Sequence, residues 1–119
     1  MVKVDIKLPL MKARCVILVG SYDDIQGRIP FGVDCFGPEG YLARTAYKYR
    51  AHPKDGLPFT VVIHSRSAAI SVIAHEAVHA ASYIQDAMGM IADFDNDELT
   101  AYTVQHICEL CEKKLRTYE

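Results

Sequence analysis

Tryptophan is absent from the 119 residues, and no apolar run approaches the eighteen or so that a membrane-spanning helix needs. A helical membrane partner is therefore not expected. Charge of one sign is lacking too: 13 Lys and Arg stand against 15 Asp and Glu, for a net charge of −2. With no basic stripe to follow a phosphate backbone, nucleic acid is not an expected partner. Cysteine is sparse and scattered, at Cys15, Cys35, Cys108 and Cys111, without the spacing of a disulfide framework. Lys12 and Arg14 before Cys15–Val19 imitate a signal peptide, but the apolar run is too short and ends in Ser21-Tyr22-Asp23-Asp24. Reduced thiols in the cytoplasm are the expectation. Cys108-x-x-Cys111 falls inside a helical pattern without a second such pair, so it reads as two semi-buried helix residues. Internal repeats and composition breaks are also missing, which leaves residues 1–119 as a single domain.

What is present is patterned. Val2, Val4, Ile6 and Leu8 alternate with Lys3, Asp5 and Lys7, the period of a half-buried strand, and Pro9 ends it. Residues 15–19 form a β-branched apolar run suited to a strand covered on both faces. Residues 20–40 carry five glycines and two prolines, which predicts a loop, with room for a short strand near 33–36. Residues 41–49 fit a strand with Ala43, Thr45, Tyr47 and Tyr49 on one face, although Leu42, Ala43 and Ala46 also suit a helix. Residues 59–64 are a strand. Helices follow over 67–88 and 96–116, the first apolar on nearly every face and so expected to be buried. Leu99, Tyr102, Ile107 and Leu110 would form the inward stripe of the second. The fold class is α+β: a mixed or antiparallel sheet of three to four strands, then two packed helices.

The chemistry concentrates at His75-Glu76-Ala77-Val78-His79. Four residues are about 1.1 helical turns, so the two imidazoles point the same way and can reach one metal ion. Glu76, one residue on, lies aside from that line and can hold a water instead. This is the H-E-x-x-H pattern of zinc-dependent hydrolases. A catalytic zinc needs a third protein ligand. The histidine expected six residues after His79 in one large group is Gln85 here. Glu98, near the start of the following helix, is the expected third ligand, with Asp93, Asp95 and Asp97 in reserve. Glu98 has another possible use: with Asp95 as N-cap it would stand at the third helical position and complete a capping-box-like pair.

His75-Glu76-x-x-His79 followed by Glu98 on the next helix resembles the gluzincin metallopeptidases, and the short length is similar to the minigluzincins. Glu98-Leu99-Thr100-Ala101 is also similar to a stretch of the ImmA/IrrE type of small peptidase. The resemblance covers about residues 59–105. It implies a small zincin-like domain that binds Zn2+ through His75, His79 and Glu98 and hydrolyses a peptide or protein substrate, with Glu76 as general base. It also implies that a sheet edge within 41–49 or 59–64 pairs with the extended substrate. Tyr102 stands where thermolysin-like enzymes carry a histidine-orienting Asp. Tyr102, His64 and His52 are candidates to stabilise the oxyanion, and His106 reads as a helix-packing residue. The alternative is a non-catalytic zinc-binding module that regulates or binds another protein. An intact Glu76 favours the enzyme, because a structural site is closed by four ligands and needs no base.

Overall fold

The alternation at the chain's start becomes β1 (Val2–Leu8), its even positions inward and its odd positions in solvent. In this computed structural model, which describes residues 1–26, 28, 42–49, 57–90 and 97–118, three more strands join it. They are β2 (Ala13–Val19), β3 (Ala43–Tyr49) and β4 (Phe59–Ser65). Among the described residues, a 3-10 turn at Pro9–Met11 and three α-helices complete the set: α1 (Tyr22–Gln26), α2 (Ile70–Ala87) and α3 (Glu98–Tyr118). The sheet order is β1-β2-β4-β3. β1 lies antiparallel to β2, β2 parallel to β4, and β3 antiparallel to β4, so the sheet is mixed.

The two central strands are buried along their whole length, as continuous apolar runs in the middle of a sheet require. Both long helices cover one face. Ile73, Ala77, Ala80 and Ile84 of α2, with Ile107, Cys111 and Leu115 of α3, pack on Cys15, Ile17, Val61 and Ile63. The opposite face buries Val16, Leu18 and Val62 with Ile25 of α1, a short helix within the stretch expected to be loop. The possible strand at 33–36 lies outside the described residues. Burial pushes the Cys111 thiol up to about 12, with Cys108 adding to the effect, and raises Cys15 as well, again chiefly by burial. These are inert core thiols, as the helical setting of the Cys108–Cys111 pair suggested.

Two expectations about the helices change. α2 is not buried all round: His75, Val78, His79 and Ser82 lie exposed along one side. The alanines at 77, 80 and 81 are buried against the rest of the domain, and the exposed side is the one that carries the polar His75, His79 and Ser82. The inward stripe of α3 is Thr103, Ile107, Cys111 and Leu115, whereas Tyr102 is 64% exposed. Gly89, with φ of +76°, follows Met88 as a left-handed stop to the helix.

Candidate metal centre

α2 places the three motif residues. Ser67 Oγ accepts the Ala69 N–H at 3.1 Å just before the first turn, satisfying a donor near the helix start. Burial of Ile73, Ala77, Ala80 and Ile84 against the sheet then fixes the rotation of α2. That rotation leaves His75 and His79 on the open side and turns Glu76 towards β3. One donor atom from each of His75, Glu76 and His79 lies within 4.8 Å of the others. The two imidazole centroids are 5.2 Å apart, with ring planes at 70°. Spacing of this order suits two nitrogen ligands of one ion after small rotamer changes.

Glu76 sits differently from its neighbours. Its side chain is 10% exposed against 71% for His75, whose Nε2 is 3.9 Å from Glu76 Oε2. Thr45 Oγ1 on β3 donates to Glu76 Oε1 at 2.8 Å and lies 3.1 Å from the main-chain oxygen of Glu76. The general-base candidate is thus tied to the neighbouring strand, with one carboxylate oxygen left towards His75. Ala43, Arg44, Thr45, Tyr83 and the motif residues line an open cleft of about 330 Å³. The Tyr83 ring packs on Tyr47 with centroids 4.7 Å apart, and Tyr47 on Phe59 at 5.5 Å.

The strand along this cleft is an edge of the sheet among the described residues. Arg66 N–H donates to Leu42 O at 2.9 Å, continuing the β3–β4 register. In an antiparallel ladder, hydrogen-bonded pairs alternate with non-bonded ones. Residues 44, 46 and 48 therefore direct their main-chain groups to β4, while those of Ala43, Thr45 and Tyr47 point away from the sheet.

The remaining site candidates do not gather here. Ala101 N–H donates to Asp97 O at 2.9 Å, so Asp97 holds the N-cap position and Glu98 is the first helical residue, not the third. Glu98 is exposed and stands outside the His75–Glu76–His79 cluster, on the same side of α3 as the exposed Tyr102, Gln105 and Glu109. Gln85 Nε2 donates to Thr100 Oγ1 at 2.5 Å and fastens that first turn to the end of α2. Asp97 is likewise exposed and outside the cluster, and His106 is exposed where helix packing was expected. His64 is buried on the sheet face opposite α2, because it alternates along β4 with Val61 and Ile63, which face the helices. Neither Tyr102 nor His64 reaches the cleft. His52, Asp93 and Asp95 lie outside the described residues.

Sequence reasoning passed over two residues of the cleft. Tyr83 follows His79 by four positions, the same spacing that paired the histidines, and could have been found that way. Thr45 carried no such signal, since only the β3–α2 packing brings it to Glu76. No helix among the described residues is long and apolar enough to cross a membrane. No protein-family model, curated protein or solved structure matches this chain.

Proposed function

We propose that this chain is a small zinc-dependent peptidase of the gluzincin kind, acting in the cytoplasm on a peptide or protein. The observation that carries the reading is the convergence of His75, Glu76 and His79 in an open cleft beside a sheet edge. Neutral imidazoles of His75 and His79 would hold the ion. Glu98, exposed at the start of α3 and outside the cluster, is the proposed third ligand. Bound there, zinc would supply Lewis acidity to a peptide carbonyl and lower the pKa of water.

The chain's own groups do the rest. An extended peptide adds to β3 through the outward main-chain groups of Ala43, Thr45 and Tyr47, which lays its backbone along the cleft. Glu76 accepts a proton from the attacking water as the hydroxyl oxygen bonds to the carbonyl carbon. The same carboxyl returns that proton to the departing amine as the C–N bond breaks. Tyr83, whose ring lines the cleft, replaces Tyr102 and His64 as the candidate donor to the developing oxyanion. The free Cys15, Cys108 and Cys111 accord with a reducing compartment.

The second reading is a non-catalytic zinc-binding module that regulates or binds another protein. Glu76→Gln separates the two. In a peptidase it abolishes zinc-dependent cleavage, by about 100-fold or more, while zinc content stays at the native level. A variant that cleaves at the native rate overturns the assigned role of Glu76.

A further inference from the structure

Thr45 is the residue at which the edge strand and the general-base candidate meet. Its main-chain groups point outward from β3, while its buried hydroxyl donates to Glu76 Oε1 at 2.8 Å and touches the Glu76 main-chain oxygen at 3.1 Å. Any segment that pairs with β3 at this position is therefore one side chain away from the carboxylate. We propose that Thr45 is a positioning residue: it holds the Glu76 carboxylate in its working orientation and ties that orientation to peptide docking on β3. The inference rests on the peptidase reading above.

The physical argument concerns rotamers. A glutamate has three side-chain torsions, and one hydrogen bond to a fixed strand removes most of that freedom at the carboxylate end. The same bond leaves Oε2 as the oxygen on the His75 side, the side where a proton from water would arrive. Because β3 is pinned to β4 by residues 44, 46 and 48, the hydroxyl is presented from a rigid element and not from a loop. A peptide hydrogen-bonded to Thr45 would order that strand further and place its own carbonyl groups beside the carboxylate. Docking and base orientation then become one event.

The test uses zinc-loaded full-length chain and a peptide mixture from a digested proteome, with new termini read by mass spectrometry. kcat and KM follow on a synthetic peptide that is cut. Thr45→Val keeps the branched shape and removes the donor, Thr45→Ala is a second donor-less variant, and Thr45→Ser keeps the hydroxyl. The expected result is a fall in kcat of about 10- to 100-fold for Val and Ala, with KM nearly constant. Thr45→Ser should recover most of the native kcat. Native kcat in Thr45→Val overturns the role, as does an equal loss in Ser and Val or a change confined to KM. If the native chain cuts nothing with zinc, or Glu76→Gln cuts normally, the peptidase reading fails and this role falls with it.

Discussion

Zinc should raise the melting temperature of this chain, and the exposure of the histidines makes the effect cleanly attributable. A ligand at 100 times its Kd stabilises the folded state by about 2.7 kcal/mol. For a chain of 119 residues the unfolding entropy is about 0.25 kcal/mol per kelvin near the midpoint, so the expected rise is about 11 °C. His75 has a side chain 71% exposed, and removing an exposed side chain away from the core changes stability by about 0.5 kcal/mol or less. His75→Ala should therefore melt within about 2 °C of the native chain without zinc and show almost none of the rise with it. Both proteins keep the same cysteines, so zinc affinity of unfolded thiols affects them alike. Glu98→Ala is the informative third sample. Glu98 is exposed at the first position of α3, so its loss costs little of the fold beyond a dipole contribution of about 0.3–1 kcal/mol. A zinc response lost in this variant supports the ligand assignment. An undiminished response refutes Glu98 as ligand. Equal rises in the native chain and His75→Ala, or no rise in either, refute the metal site itself.

Two predictions concern the core. Ile73→Ala removes a fully buried side chain between α2 and the sheet and should cost about 2–5 kcal/mol in urea unfolding; a loss under about 1 kcal/mol would contradict the packing described. Iodoacetamide at mildly alkaline pH should modify Cys108 before Cys15 and Cys111, whose thiols are pushed further up by burial, and peptide mapping reads the order. Because the folded pKa of Cys111 is raised from 9.0 to about 12, its contribution to stability is intact below pH 9 and lost as pH rises through 12. Denaturant midpoints across that range should fall less steeply in Cys111→Ala than in the native chain.

Much of the fold was legible because periodicity reports burial directly. The alternation of Val2, Val4 and Ile6 and the unbroken run at Cys15–Val19 correspond to an outer and an inner strand. The H-E-x-x-H spacing brought two histidines and a glutamate together because a helix makes that relation local. Less legible was what helix rotation and distant pairing set. Glu98 was assigned from its distance along the chain, but the helix phase that buries Thr103, Ile107 and Cys111 turns Glu98 outward. His64 suffered the same fate on a strand, where a shift of one residue changes the face. Thr45 acquired its place only when β3 paired with β4 and packed on α2, contacts that no local pattern encodes.

The parallel pairing of β2 with β4 also sets an order of events in folding. The β1–β2 and β3–β4 ladders each join strands that are consecutive in the chain, whereas Ala13 must find Phe59 to close the centre of the sheet. Contacts of long sequence separation form late and slow the transition, since the loop entropy is lost before the contacts compensate. Two hairpins able to form early are thus joined by one costly docking step, and the Thr45–Glu76 contact can follow once α2 settles on β3 and β4. Substitutions in the β2–β4 seam should slow folding, while those around His75 and His79 should leave the rate unchanged. A cleft that costs the nucleus nothing is one in which evolution can vary the chemistry without relearning how to fold.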